Sequence, residues 1–286
     1  MQGSSNLKVF FLLLAMGLVS CSRVQLIYDY GDWLLERSLN KSLELKKDKK
    51  KELSIRVKDY FKEHRKTELP RWSYFLYSTA DLIEKSSPTD AKIKDSVNDL
   101  ENLLKRSLLL GVPSFSELLI SLNETEVSRL ERNFQKENSE QLEELSEETE
   151  REYREERFDR IQDRIEFFID ELKAPQKQII REFVADFDYP NRSLWVQNRA
   201  HQQARFIAFL KKRPSLKELE AYFEDQIQRP EKTRLPDYQK QIETAKKRFY
   251  LFAQKLSESL DSKQKAFFVE RLKSLAGDFK SLATES

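Results

Sequence analysis

The sequence predicts an all-α fold, a multi-helix bundle of roughly ten or more helices behind an N-terminal export signal. Apolar residues recur at three- and four-residue steps along almost the whole chain, as at Leu53, Val57 and Phe61. No sustained period-two alternation is present, so strands are not indicated. Prolines lie between the periodic segments or in their first turn, which predicts helix interiors free of proline.

The breaks between periodic segments define the predicted elements in order. Most breaks fall at a proline, and Gly111 before Val112 and Pro113 is interpreted as a helix C-terminal stop. The predicted helices cover residues 24–45, 48–66, 70–86, 89–110, 114–121, 124–172, 175–187, 190–212, 215–228, 236–258 and 261–282.

The segment 124–172 contains neither Gly nor Pro, and as one helix it would be roughly 70 Å long at about 1.5 Å per residue. Between Ser146 and Arg157 only Tyr153 interrupts a run of mostly charged residues. The sequence therefore predicts one long charged helix that protrudes into solvent, and a break in its middle is the alternative.

The composition is that of a globular chain with a buried core. Of 286 residues, 39% are hydrophobic and 35% are charged, with only 5 Gly and 8 Pro. The 51 Lys and Arg and the 49 Asp and Glu are interleaved rather than gathered into a basic block, so a nucleic-acid partner is not indicated. One continuous helical domain is expected after the export signal.

The N-terminus carries that signal. Lys8 precedes an apolar run from Val9 to Leu18, which has the length of a signal core and is shorter than the about 20 residues of a membrane span. The following Leu18-Val19-Ser20-Cys21 resembles the bacterial lipobox, in which the cysteine thiol receives a diacylglycerol and the chain is cut before it. The alternatives are an ordinary secretory signal with a chance cysteine, or a buried cytosolic helix.

The lipobox resemblance implies a lipoprotein signal peptide over residues 1–20 and a mature envelope domain over 21–286. Cys21 is then the lipidation site and holds the chain to the membrane through its acyl chains. Ser22 follows Cys21. In enterobacterial lipoproteins an Asp at that position retains the protein in the inner membrane, so the resemblance points to the outer membrane, facing the periplasm.

Four segments open with similar letters, beginning at Leu45, Leu122, Leu172 and Leu260. Each places a hydrophobic residue just outside a helix, followed by capping residues. Lys49 and Lys173 depart from this capping pattern. The last two copies resemble degenerate Leu-Thr-x-x-Gln motifs of a family of small periplasmic helical proteins that includes chaperones, although ordinary capping would give the same letters in any helical protein.

A second resemblance covers most of the chain. The run His64-Arg65-Lys66-Thr67-Glu68-Leu69-Pro70-Arg71-Trp72 is similar to the His-Arg-x-Thr-Glu-Leu-Pro-x-Tyr motif of an uncharacterised family of Gram-negative lipoproteins, with Trp72 in place of tyrosine. The segment 28–35, Asn138 and a Trp-x-x-x-Arg helix also match that family. The helix residues are Trp195, Arg199 and Gln203. The resemblance implies lipidation and an all-helical fold, and it supplies no catalytic residues.

Two groups of motif residues are candidate sites. In the first, Arg65, Glu68 and the aromatic pair of Trp72 with Tyr74 converge where one helix ends and Pro70 starts the next. They either bind an envelope ligand or form an internal clamp in which Thr67 or Glu68 caps the second helix. We favour an internal pair of Arg65 with Glu68. In the second, Trp195, Arg199 and Gln203 lie on one helix face, which favours an internal polar clamp over a binding site.

The remaining chemistry gives no catalytic centre. His64 and His201 are not in a metal-ligand spacing, no Gly-rich phosphate loop or serine nucleophile elbow is present, and the only cysteine is assigned to lipid. We therefore expect no metal, no cofactor and no enzymatic activity. The predicted function is a scaffold or accessory subunit with an envelope protein partner. The alternative is a chaperone-like binder of unfolded envelope polypeptides, which an exposed apolar concavity flanked by Leu172 and Leu260 would favour.

Overall fold

The computed structural model describes residues 22–85 and 89–284, and over these ranges it is an all-α multi-helix bundle without strands. The predicted fold class is confirmed, whereas the predicted signal peptide and Cys21 lie outside the described residues. Within the described residues, eleven α-helices and one short 3₁₀ helix follow in order. They are α1 (Ser22–Leu43), α2 (Lys47–Thr67), α3 (Leu69–Lys85), α4 (Asp90–Ile120), α5 (Glu124–Glu147), α6 (Glu150–Ile169), α7 (Ala174–Ala185), α8 (Leu194–Lys211), α9 (Leu216–Gln228), the 3₁₀ helix (Pro230–Lys232), α10 (Pro236–Ser259) and α11 (Ser262–Thr284).

Helix α4 corrects the predicted break at Gly111. The helix continues through Pro113, although this proline has no N–H to donate to the carbonyl of Leu109. Gly111 is buried within the helix, and a Cβ built on it would lie 3.0 Å from the ring of Phe115. The glycine therefore serves close packing rather than helix termination, and packing of α4 against α2, α9 and α10 outweighs the lost hydrogen bond.

The predicted single long helix over 124–172 is wrong and the alternative, a break in its middle, is confirmed, because the chain breaks between α5 and α6. Thr149 caps α6 through a complete capping box. Across the break, Tyr189 Oη donates to the carbonyl of Glu148 at 2.8 Å, and Arg192 Nη2 donates to the carbonyl of Leu145 at 2.6 Å. Tyr153 is buried against Tyr189, with ring centroids 5.3 Å apart. The charged segment therefore contacts the α7–α8 connection through a few residues, while most of its charged side chains are exposed to solvent.

The core consists of two main apolar clusters. One joins α1, α2, α4, α5, α8 and α9 around Leu53, Val57 and Leu130, and the other joins α6, α7 and α10 around Ile180 and Phe252. Each fully buried leucine or isoleucine stabilises the fold by roughly 1.5–3 kcal/mol relative to an exposed one.

Helices α3 and α11 run antiparallel along each other, although some 200 residues separate them in sequence. Small residues make their close approach possible, and Ser73 Oγ donates to the carbonyl of Ala276 at 2.7 Å. Near one end of the pair, Leu69 packs with Phe279 and with Tyr28 of α1. The N-terminal helix α1 is thereby fixed beside α3 and α11.

Candidate functional site

The family-like motif lies at a very short turn between α2 and α3. Glu68 is the only residue between the two helices, and its N–H donates to the carbonyl of His64 at 2.9 Å. The motif has two faces: His64, Glu68 and Leu69 are buried, whereas Pro70 and Arg71 are exposed. The two ionisable side chains His64 and Glu68 therefore point into the bundle.

His64 is the centre of a buried hydrogen-bond network. Its Nδ1 lies 2.7 Å from Tyr28 Oη of α1, and its Nε2 lies 2.9 Å from Ser107 Oγ of α4. Trp72 Nε1 donates to the same Ser107 hydroxyl at 3.4 Å, and Tyr60 Oη donates to the Ser107 carbonyl at 3.1 Å. The motif thus joins α1, α2, α3 and α4 at one serine.

Burial fixes the protonation of this network. Removal from water lowers the pKa of His64 to about 4, and the negative charge of Glu68 opposes this shift only partly. Burial likewise raises the pKa of Tyr28 and raises the pKa of Tyr60 to about 12. Near neutral pH the imidazole is therefore uncharged, with one donor nitrogen and one acceptor nitrogen for its two partners.

Ser107, His64 and Tyr28 have the spacing of a nucleophile, a base and a group that orients the base. Ser107 nevertheless lies in the interior of α4 and is only 4% exposed. A substrate would reach its Oγ only if the helices separated. The arrangement is therefore suited to holding four helices in register rather than to acyl transfer.

Glu68 has a different partner from the predicted Arg65. Arg106 of α4 donates to both Glu68 carboxylate oxygens, at 3.2 and 3.1 Å, and Arg71 Nε lies 3.8 Å from Oε1. Arg65 instead donates to the carbonyl of Tyr28 at 3.3 Å and lies over its ring. The predicted pair of Arg65 with Glu68 is therefore wrong, because the two side chains leave the helix end toward different neighbours, α1 and α4.

Two smaller motif residues serve the helices as well. Thr67 Oγ1 donates to the carbonyl of Glu63 at 2.9 Å, one turn earlier in α2. Trp72 packs edge-on against Phe279 of α11, with ring centroids 6.5 Å apart. The contacts of the motif thus reach the helix that ends the chain.

The second predicted group is joined by Asn138. Arg199 Nε donates to Asn138 Oδ1 at 2.8 Å, and Asn138 Nδ2 donates to Gln203 Oε1 at 2.7 Å. The Arg199 guanidinium lies 5.0 Å from the ring centre of Trp195. Burial lowers the pKa of Arg199, which still leaves it charged at neutral pH. These contacts link α5 to α8 and fit the internal-clamp interpretation.

The four similar helix starts meet as two pairs. In the first, Lys49 Nζ lies 2.5 Å from Glu126 Oε2 and donates to the carbonyl of Ser121 at 2.7 Å. In the second, Gln176 and Gln264 exchange amide hydrogen bonds of 2.8 and 3.0 Å.

An ion pair of Lys173 with Asp261 also crosses this second pair. Lys49 and Lys173, which depart from the capping pattern, thus both form ion pairs with the partner start. The sequence marked them as exceptions but gave no signal of the pairing.

A cleft of about 220 Å³ lies beside the second pair. Its lining includes Asp170, Lys173 and Asp261, and Asp170 has a positive φ of 67°. Leu172 at its base is buried and packs with Ile180 in the apolar core. The cleft therefore has a mixed lining, in which charged side chains lie beside Ile169 and Leu172.

Among residues 22–85 and 89–284, no group of three or more His, Cys, Asp or Glu side chains is placed to hold a metal ion. Of the helices described, none combines the length and the apolar character needed to cross a membrane.

Comparison with known proteins gives one match. A family model described as a family of unknown function (DUF6279) matches residues 41–239. The matched range runs from the end of α1 into α10, so it contains both groups of motif residues. No curated protein and no solved structure matches the chain.

Proposed function

We propose that this chain, which belongs to the family of unknown function DUF6279, is a lipid-anchored, non-enzymatic scaffold or accessory subunit of the bacterial envelope. The acyl chains on Cys21 attach it to the membrane, and its helical body faces the periplasm. The outer membrane is the proposed location, because Ser22 rather than Asp follows the lipidated residue.

The observation that supports the scaffold role is that the ionisable motif side chains form contacts between helices. His64, Glu68 and Arg199 each bond to a residue of another helix, and none of them is exposed. A rigid body held by such contacts presents a defined outer surface, which a scaffold requires. The mixed-charge helical exterior is then the part that meets an envelope protein partner.

The contacts of Leu172 and Leu260 favour the scaffold over the chaperone-like alternative. A binder of unfolded chains needs an accessible apolar surface. Leu172 is 3% exposed, and Leu260 packs against the same core cluster. The residues that carry the resemblance to periplasmic chaperones are therefore used for the internal core.

Metabolic labelling with palmitate tests the anchor. Wild-type chain is expected to incorporate the label and to stay with the membranes after an alkaline carbonate wash. Cys21→Ser should lose the label and accumulate as precursor, because no other residue supplies a thiol. Ser20→Ala is the matched control that leaves the thiol in place. Label in the Cys21→Ser chain would contradict the anchor.

Photo-cross-linking in living cells tests the scaffold role. A photoreactive residue replaces Tyr74, which is 75% exposed on α3, or Leu251, which is 61% exposed on α10. A scaffold is expected to give one discrete adduct that is lost in the Cys21→Ser chain. A ladder of many adducts that grows when envelope proteins unfold would instead support the chaperone-like alternative.

A further inference from the structure

Helix α1 has an exposed face that the bundle does not cover. Tyr30, Trp33 and Leu34 are 57%, 52% and 39% exposed, and Arg37 and Lys41 continue the same stripe. At about 100° per residue these five positions fall within roughly 100° of the helix circumference. Large apolar side chains and cations therefore share one unpartnered side of the helix.

The opposite side of α1 is firmly packed. A Cβ added to Gly31 would lie 2.8 Å from the ring of Phe61 of α2, so the two helices are in very close contact. Leu35 and Leu39 pack against the main core, and Leu43 is buried within it. The rotation of α1 is thus fixed, and its aromatic stripe faces outward.

We propose that this stripe is a membrane-contact face, which lies on an anionic phospholipid surface and orients the whole bundle on it. The inference rests on the proposed lipid anchor at Cys21. It adds to the anchor a protein surface that contacts the lipid headgroups.

The position of α1 next to Cys21 in the sequence supports a lipid surface as the partner of the stripe. The described helix begins at Ser22, the residue directly after Cys21 in the sequence, so the helix starts next to the proposed lipidation site. At about 1.5 Å per residue, Tyr30 lies roughly 12 Å and Trp33 roughly 17 Å along the helix from Ser22. A helix tethered at this distance that lies along the membrane places the stripe at headgroup level.

The chemistry of the stripe fits that surface. Tyrosine and tryptophan favour the membrane–water interface because their rings are apolar and their polar groups remain hydrated. Arg37 lies over the ring of Trp33, with 5.2 Å between guanidinium carbon and ring centre, and Lys41 follows one turn later. The half-buried acids Asp32 and Glu36 lie away from the centre of the stripe.

The neighbouring helix α2 adds positive charge beside α1, which is itself net neutral with three Lys or Arg and three Asp or Glu residues. Helix α2 contains nine Lys or Arg residues against four Asp or Glu residues, and it packs directly beside α1. The net positive charge of the two helices together, near the proposed anchor, is attracted to anionic lipid. The opposite charge would be repelled from such a surface.

Fluorescence quenching by brominated phospholipids tests the proposal. The lipidated full-length protein is reconstituted in phosphatidylethanolamine–phosphatidylglycerol vesicles with and without bromine on the acyl chains. Trp33 is expected to supply most of the quenched emission, because Trp72 and Trp195 are half-buried in the bundle. Trp33→Phe should therefore lose most of the quenching, whereas Trp195→Phe, the matched control, should retain it.

A charge test uses paired substitutions of equal size. Arg37→Glu with Lys41→Glu should reduce the quenching, and this loss should disappear in vesicles of neutral lipid. Lys217→Glu with Lys247→Glu changes net charge equally at exposed positions on α9 and α10, and it should leave the quenching unchanged.

The possible results distinguish a failure of the proposed membrane-contact face from a failure of the proposed lipid anchor. Protein that washes off the vesicles in alkaline carbonate would overturn the anchor, and the face with it. Protein that stays bound while Trp33 emission is unaffected by bromine would overturn the face alone. Quenching that is unchanged in Trp33→Phe would also overturn it, and circular dichroism confirms that each variant is folded.

Discussion

The buried His64 network makes the stability of the protein depend on pH in a defined window. The pKa of His64 is about 4 in the folded chain, against an ordinary value of 6.5. Below pH 6.5 the unfolded chain binds a proton that the folded chain does not, so its stability falls as the pH is lowered from 6.5 toward 4. The full stabilisation by the neutral imidazole is present above pH 6.5.

The size of the effect follows from the shift in pKa. One pKa unit corresponds to about 1.4 kcal/mol, so the loss is about 2 kcal/mol at pH 5 and about 3 kcal/mol once the pH is well below 4. The carboxyl groups of Glu126 and Asp261, whose pKa values are lowered, lose their stabilisation only near and below their ordinary values of 4.5 and 3.8. The interval between pH 6.5 and 5 therefore reports mainly on histidine.

Urea unfolding followed by far-UV circular dichroism at pH 7.5, 6.0 and 5.0 measures this loss. His64→Gln is the informative variant, because an amide keeps one donor and one acceptor but does not titrate in this range. It should be less stable than wild type at pH 7.5 by about 1–3 kcal/mol, from imperfect hydrogen bonds. It should also lose the pH dependence between 6.5 and 5. An equal slope in both proteins would refute the assignment to His64.

Three further predictions concern packing and polar contacts. Arg106→Ala should cost about 1–3 kcal/mol, because it leaves the buried Glu68 carboxylate with only a weak partner, and a double-mutant cycle with Glu68→Gln should give coupling above about 0.5 kcal/mol. Gly31→Ala should destabilise by about 1–3 kcal/mol through overpacking, whereas Gly277→Ala should stabilise by up to about 1 kcal/mol in thermal melts. Asn138→Ala should cost about 1–3 kcal/mol in urea unfolding by breaking the α5–α8 clamp.

Neighbouring substitutions provide the controls for these predictions. Arg65→Ala should combine additively with Glu68→Gln, since Glu68 bonds to Arg106. Ser139→Ala, at an exposed position beside Asn138, should change stability by no more than about 0.5 kcal/mol. Strong coupling of Arg65 with Glu68, or equal effects of the two alanines in α5, would contradict the contacts described.

The sequence predicted the fold class and most helix ends because those depend on local patterns. It failed at Gly111 and at Glu148 for opposite reasons. At Gly111 a local stop signal was overridden by packing of α4 against α2, α9 and α10, which sequence spacing does not reveal. At Glu148 the start signal of α6, a Thr-x-x-Glu capping box, was present in the letters, but the charged composition around it favoured one exposed helix.

The candidate sites show the same division between local and tertiary information. The motif residues were identified from the sequence. Their partners Ser107 and Arg106 lie on α4, some 40 residues further along the chain, and no sequence pattern distinguishes these two residues from their neighbours. Asn138 was identified as well, and only its pairing with Arg199 and Gln203 required the structure.

In the paired helix starts, the same residues serve both local helix capping and tertiary contacts between helices. A helix N-terminus carries partial positive charge, so an acid in its first turn is favourable and a lysine is unfavourable unless an anion lies nearby. Lys49 satisfies this condition by reaching Glu126, and Lys173 does so by reaching Asp261. Each start that breaks the capping rule is thus compensated by a start that keeps it. Such reciprocal contacts fix the relative position of helices that are distant in sequence, as the proposed scaffold role requires.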